Sequence, residues 1–192
     1  MIIIDKLHKY FENEYELSQI DSIKLKYSLE LVIGELSKLL ILFFIFWVLD
    51  KATDFICSLL ILMMIRVFTG GLHFKHYGIC IIFSGFFFYI SIFLKNYFYP
   101  QTISIIGMYT LSISIIIIFA PVFGKSRPSY SYRKRQQFKL IGIILVSIHF
   151  LMYLLHQNNP YFNNSIWVIA LQSIQILLGK GVQIYEKGKI YS

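Results

Sequence analysis

Residues 55–93, FICSLLILMMIRVFTGGLHFKHYGICIIFSGFFFYISIF, place a polar centre between two apolar runs. The centre, residues 66–80, contains one cysteine, two histidines, two cations and three glycines. Ionisable groups are costly at membrane depth, so a cluster of this kind beside apolar runs usually marks a function. The runs are continuous rather than alternating in polarity, which predicts helices rather than strands.

The composition of the whole chain agrees with a membrane protein. Hydrophobic residues make up 57% of the 192 residues, and the mean hydropathy is +0.65. Soluble domains contain about 45–50% apolar residues. Backbone hydrogen bonds in lipid must be satisfied internally, so the spanning segments are helices or a closed barrel, and continuous runs favour helices. We predict an all-α, polytopic helical bundle in a single domain, residues 1–192.

Six apolar segments are predicted to lie in the membrane. They cover residues 29–49, 55–68, 79–93, 102–119, 138–155 and 166–178. The second is short enough that a re-entrant segment competes with a full span. Residues 1–27 have the spacing of an amphipathic helix that lies on the membrane surface, or of a solvated helix packed on the protein's own bundle. Residues 121–139 form a basic loop and residues 180–192 a basic tail.

The basic residues predict the orientation. Fifteen Lys and Arg residues fall on one side of the six-segment arrangement, in residues 1–27, 66–76, 121–139 and 180–192. Only Lys51 and Lys95 fall on the other side. Cytoplasmic loops collect basic residues, so both termini and the polar centre are predicted to face the cytoplasm. The same rule accounts for the net charge of +8, and no nucleic-acid-binding module is present.

The polar centre contains the elements of thiol chemistry. A cysteine nucleophile needs a thiolate, which a neighbouring imidazole generates by accepting the proton. On an uninterrupted helix His76 would share a face with Cys80 four residues later. On the same helix His73 would lie about 10 Å from Cys80 along the axis, too far for proton transfer. If His73 is the base, the chain must therefore bend between the two residues, and Gly78 is a suitable place. Local geometry alone slightly favours His76.

The spacing of this centre resembles that of a known family. Arg66 is followed by Gly70-Gly71-Leu72-His73, then by six residues and Cys80. This pattern is similar to the motif of the accessory gene regulator B (AgrB) family, quorum-sensing peptide cysteine endopeptidases of Gram-positive bacteria. The chain length, the order of spans, Ala120-Pro121-Val122 and the basic loop behind it are also similar. Phe74 departs from the alanine that often follows the family's histidine.

The resemblance implies an enzyme with Cys80 as nucleophile and His73 as base. Its partner would be an AgrD-like pheromone precursor with an amphipathic leader, a core that contains cysteine or serine, and an acidic tail. Cys80 would attack the bond between core and tail, and the core residue would then close a thiolactone or lactone ring. The resemblance also suggests a homodimer in the cell membrane. No metal or cofactor is expected, because His73, His76 and Cys80 lack a clear fourth metal ligand.

Other polar residues have chemistry that suits substrate binding or helix pairing. Arg66, Gly70 and Gly71 are candidates for oxyanion or substrate contacts, although Arg66 also suits snorkelling to the interface. The basic residues Lys125, Arg127, Arg133, Lys134 and Arg135 would bind the acidic tail, or touch anionic lipid. Glu35 and Lys38 are predicted to pair on one helix face, and Cys57 to pack inertly. The alternative to an enzyme is a small transporter or accessory subunit that exports a peptide.

Overall fold

The computed structural model describes residues 2–15, 18–72, 76–97, 101–123, 130–156 and 159–188. Seven α-helices and no β-strand occur in these ranges. They are α1 (Ile2–Tyr15), α2 (Gln19–Val48), α3 (Ala52–Thr69), α4 (Tyr77–Tyr97), α5 (Thr102–Phe119), α6 (Tyr132–Leu155) and α7 (Pro160–Gly188). The six helices α2 to α7 are long and apolar enough to cross a membrane. The predicted all-α, six-segment architecture is therefore confirmed.

The first helices begin earlier than their apolar runs. Helix α2 starts at Gln19 rather than near residue 29, because the side chain of Ser18 accepts a hydrogen bond from the Asp21 N–H and caps the first turn. The predicted amphipathic segment 1–27 therefore divides between α1 and the first turns of α2. Helix α3 is an unbroken run of 18 residues, or about 27 Å, which favours a full span over the re-entrant alternative.

The last two helices are also longer than predicted. Ser131 caps α6 by accepting a hydrogen bond from the Lys134 N–H, so residues 132–139 of the predicted basic loop are helical. Helix α7 begins at Pro160, a residue type favoured in the first turn, and continues to Gly188. Helix α7 thus begins six residues before the predicted segment 166–178, and the predicted basic tail is helical as far as Gly188.

The chain divides into two compact units, Met1–Asp50 and Lys51–Ser192. In the first unit α1 packs against the start of α2. His8 Nε2 lies 2.9 Å from Ser22 Oγ, and that hydroxyl donates a 2.7 Å hydrogen bond to Glu12. Further along α2, the predicted partners Glu35 and Lys38 form an ion pair and a hydrogen bond.

The second unit is built around α7, which packs against α3, α4 and α5. Helix α6 completes this bundle against α3 and α5. Buried apolar residues from these helices form its core: Ile65, Ile105, Tyr109, Ile116, Val146, Ile169 and Ile176. Within this core, Tyr109 OH of α5 lies 2.7 Å from His149 Nδ1 of α6. The bundle fixes the positions of the helix ends that form the site described next.

Candidate active site

Cys80 lies in the first turn of α4 and is half-buried. Its backbone N–H donates a 3.1 Å hydrogen bond to the carbonyl of His76, the residue that precedes the helix. Gly78 is helical, and a Cβ added there would meet nothing within 4 Å. The prediction of a bend at Gly78 is therefore wrong, because the helix already begins at Tyr77.

Of the two candidate bases, the structure describes His76 but not His73. His76 is exposed directly before α4, whereas His73 lies outside the described residues. Helix α3 ends at Thr69, and residues 70–72 and 76 are not helical. The uninterrupted helix that would separate His73 from Cys80 by about 10 Å is therefore not formed. The choice between His73 and His76 stays a prediction.

A glycine turn follows α3 and joins it to the segment after α5. Gly70 has φ 74° and Gly71 has φ 153°, in the region that side chains other than glycine rarely adopt. Gly70 forms a parallel bridge with Val122. The Gly71 N–H donates to the Val122 carbonyl, and the Val122 N–H donates to the Thr69 carbonyl, both at 2.9 Å. A Cβ on Gly70 would lie 1.9 Å from the Val122 oxygen.

The same bonds bear on the predicted oxyanion role of the two glycines. The Gly70 N–H donates to the Arg66 carbonyl, and the Gly71 N–H to Val122, each at 2.9 Å. Both amides thus have acceptors inside the protein. An oxyanion contact from either one would require its present bond to open, so in this arrangement the glycines hold the turn.

Arg66 links this turn to α7. Its Nη1 donates a 3.0 Å hydrogen bond to Gln175 Oε1, and its Nη2 donates a 2.6 Å hydrogen bond to the carbonyl of Leu72. Beside it, Gln172 Nε2 donates to the Gly70 carbonyl at 2.7 Å and to Thr69 Oγ1 at 3.2 Å. Sequence reasoning missed both glutamines. The available signal was their position, three residues apart inside a predominantly apolar span.

The basic residues adjoin the same helix ends. Arg133, Lys134 and Arg135 are exposed in the first turn of α6, whereas Lys125 and Arg127 lie outside the described residues. The Lys134 Nζ lies 5.1 Å from the centre of the Tyr130 ring. Tyr130 contacts Phe138, which in turn contacts Phe68 at the end of α3. Lys134 is therefore linked to the end of α3 through these rings, and Arg133 and Arg135 are its neighbours along the chain.

These contacts establish which loops share a side of the bundle. Gly70 follows α3 and Val122 follows α5, so their bridge brings the ends of these two helices together. The start of α4, with Cys80, follows the same turn. The predicted placement of residues 66–76 and 121–139 on one side thus agrees with the contacts, while the side of the membrane they face stays a prediction. The two cysteines, both within the described residues, are not joined by a disulfide.

Comparison with known proteins identifies the family. A family model described as accessory gene regulator B matches residues 3–176. The chain belongs to the accessory gene regulator B (AgrB) family. A putative AgrB-like protein of Clostridium beijerinckii is 33% identical over 187 residues, which cover 95% of this chain and 88% of that protein. Another, of Clostridium acetobutylicum, is 25% identical over 147 residues, covering 74% and 68%. No solved structure matches the chain.

Membership of the AgrB family assigns the protein to the quorum-sensing accessory gene regulator system. The family implies an AgrD-like pheromone precursor as partner. With six candidate membrane helices, the protein is a multi-pass cell membrane protein.

Proposed function

We propose that this AgrB-family protein is a membrane cysteine endopeptidase that removes the acidic tail of its pheromone precursor and promotes ring closure. The observation that carries the proposal is the location of Cys80. It lies in the first turn of α4, four residues after His76 and seven after His73, and the preceding part of the chain forms a glycine turn fixed by hydrogen bonds. A nucleophile and its base need such a fixed frame, because the reacting atoms must come within about 3 Å.

The reaction begins at the bond between core and tail. The imidazole of His73 takes the proton from the Cys80 thiol, and the thiolate attacks the scissile carbonyl carbon. The C–N bond then breaks, and the imidazolium returns its proton to the leaving nitrogen, so the tail departs with a free amino group. The core remains attached to Cys80 as a thioester.

Ring closure follows without an added reactant. The thiol or hydroxyl of the precursor's own Cys or Ser gives its proton to the imidazole and attacks the thioester carbonyl. The bond to Cys80 breaks, and the imidazolium returns its proton to the departing sulfur, which restores the thiol. The product is a thiolactone or lactone still joined to its leader. Cyclisation prevails over hydrolysis only if water is kept out, which a site beside apolar helices favours.

The exposed cations of α6 are proposed to bind the acidic tail. Arg133, Lys134 and Arg135 lie at the same end of the bundle as the turn before Cys80. Attraction between exposed charges is screened within about 10 Å at 0.1 M salt. Tail binding by these residues would therefore weaken as the salt concentration rises, and replacing the three with Gln would remove most of that dependence.

The test is cleavage of a co-expressed precursor in membranes, followed by mass spectrometry of the released tail. We expect Cys80→Ala and His73→Ala to abolish cleavage, and His76→Ala to retain it. Cys57→Ala is the matched control, because Cys57 is the other cysteine, is also half-buried, and lies within α3. Cleavage by Cys80→Ala would refute the proposal of a cysteine endopeptidase and favour the alternative, a protein that exports a peptide. Loss with His76→Ala alone would make His76 the base.

A further inference from the structure

We propose that Gln172 and Gln175 of α7 are positioning residues of the Cys80 site. They hold the Gly70-Gly71 turn and Arg66 in the arrangement from which the chain runs to Cys80. The inference rests on the proposed peptidase function for its catalytic consequence, and on the hydrogen bonds of α7 for its geometry. The residues act through the turn, and neither is assigned a contact with the reacting atoms.

The first observation is that each glutamine bonds a different part of the turn. Gln172 Nε2 reaches the Gly70 carbonyl at 2.7 Å and Thr69 Oγ1 at 3.2 Å. Gln175 Oε1 accepts the Arg66 Nη1 bond at 3.0 Å, and Arg66 in turn bonds the Leu72 carbonyl at 2.6 Å. Backbone carbonyls on both sides of Gly71 are thus fixed, directly or through Arg66, to one face of α7.

The second observation is the closeness of this face. A Cβ placed on Gly71 would lie 3.5 Å from Gln172 Nε2 and 3.6 Å from Gln175 Oε1. One turn further along α7, a Cβ on Gly179 would lie 3.4 Å from the Gly71 carbonyl carbon and from the Leu72 nitrogen. About two turns after Gln175, Gln183 Nε2 donates a 2.7 Å hydrogen bond to the Phe123 carbonyl. The turn therefore lies directly against α7.

The third observation is that, among the described residues, only one end of the buried Gln172 amide has hydrogen-bond partners. Its side chain is 1% exposed, and its Oε1 is buried with no hydrogen-bond partner among the described residues. A buried polar atom without a partner is unfavourable for stability. An apolar side chain would serve simple packing better at this position. The amide's other end, directed at Gly70 and Thr69, indicates a role in fixing that backbone.

Asn164 supplies a matched control on the same helix. It is also 1% exposed, and its Oδ1 also lacks a hydrogen-bond partner within the described residues. Its Nδ2 donates a 2.6 Å hydrogen bond to Ser58 Oγ, which is likewise on α3. Eight residues separate it from Gln172, or about 12 Å along the axis. Asn164 thus ties the same two helices together without touching the turn.

The experiment compares Gln172→Leu, Asn164→Leu, Gln175→Leu and Gln175→Glu in full-length protein in nanodiscs. Two quantities are measured: kcat and KM for a synthetic precursor peptide, and hydrogen exchange of the backbone amides in residues 66–72. We expect Gln172→Leu and Gln175→Leu to lower kcat by about 10- to 100-fold, the loss that a displacement of about 1 Å produces, with KM changed by less than about twofold. Exchange at residues 70–72 should accelerate by about 10-fold or more, as local opening predicts.

The remaining variants separate positioning from general stability. Gln175→Glu keeps an acceptor for Arg66, so we expect its kcat to stay close to the parent value, unlike that of Gln175→Leu. Asn164→Leu should leave kcat and exchange at residues 70–72 near the parent values even if it lowers the melting temperature. Equal losses in Gln172→Leu and Asn164→Leu, or unchanged exchange at the turn in Gln172→Leu, would overturn the proposal.

The two proposals fail in different ways. If Cys80→Ala still cleaves the precursor, the peptidase proposal is refuted, but the exchange measurement still decides whether the glutamines hold the turn. If cleavage requires Cys80 and Gln172→Leu cleaves like the parent, the peptidase stands and the positioning role is refuted.

Discussion

At the scale of single residues, Gly70 has no room for a side chain. Its φ of 74° disfavours any side chain, and an added Cβ would lie 1.9 Å from a backbone oxygen that cannot rotate away. We expect Gly70→Ala to lower the melting temperature in detergent and to abolish precursor cleavage. Gly181→Ala is the control, because a Cβ there meets nothing within 4 Å.

The Gly181→Ala variant should melt at or above the parent temperature, since alanine is favoured over glycine in a helix by about 1 kcal/mol. The Gly70 explanation would be refuted if Gly70→Ala and Gly181→Ala melted alike and both cleaved the precursor. A loss of cleavage in Gly70→Ala without a loss of stability would show that the turn matters for chemistry more than for folding.

The residues of the turn could be predicted from the sequence, but their partners could not. Arg66, the two glycines and Cys80 fall within fifteen residues, so local spacing reveals the cluster. Gln172 and Gln175 lie more than a hundred residues further along the chain. Their role depends on which face of α7 meets the end of α3, and that is decided by packing of the whole bundle. The predicted bend at Gly78 failed for a related reason, because three residues of helix already precede Cys80.

At the scale of helices, α3 and α6 are in close contact where Gly142 faces Thr69. A Cβ on Gly142 would lie 2.8 Å from Thr69 Cγ2, and Thr69 is fully buried. We expect Gly142→Ala to lower the free energy of unfolding by about 1–3 kcal/mol, the usual cost of overpacking. Adding Thr69→Ser should recover most of this loss, because serine lacks the methyl group but keeps the hydroxyl that bonds Ile65 and Gln172.

The measurement is a double-mutant cycle on unfolding in mixed detergent micelles. Thr69→Ser alone should cost about 0.8 kcal/mol, the value of one buried methyl group. A coupling energy near zero would contradict the close contact, because independent sites have additive effects.

The limits of the helices show what hydropathy alone could predict. Helix α5 runs from Thr102 to Phe119, as predicted, because Ala120-Pro121 ends the apolar run and the helix together. Helices α2 and α6 begin earlier than predicted, where Ser18 and Ser131 cap them. A polar turn with a cap continues a helix beyond the hydrocarbon layer, so a hydropathy pattern places the membrane segment more reliably than the helix end.

At the scale of the whole molecule, the remaining question is which face of the bundle meets the cytoplasm. In the described residues between Gln101 and Tyr132, which leave out 124–129, α5 is the one helix. These two residues therefore lie on opposite sides of the membrane if α5 alone spans it between them. Tyr132 adjoins the exposed cations of α6 and lies at the Cys80 end of the bundle. The strong excess of Lys and Arg on that side predicts that it is cytoplasmic.

The orientation can be measured by labelling single cysteines in a Cys57→Ala, Cys80→Ala background. Gln101 makes no side-chain cap hydrogen bond and the Tyr132 side chain is 79% exposed, so both positions suit substitution. In intact cells a membrane-impermeant maleimide should label Gln101→Cys and spare Tyr132→Cys, which should react only after the membrane is opened. The reverse pattern would put Cys80 outside, where it could not meet a precursor before export. Labelling of both residues in intact cells would instead show that α5 does not span the membrane.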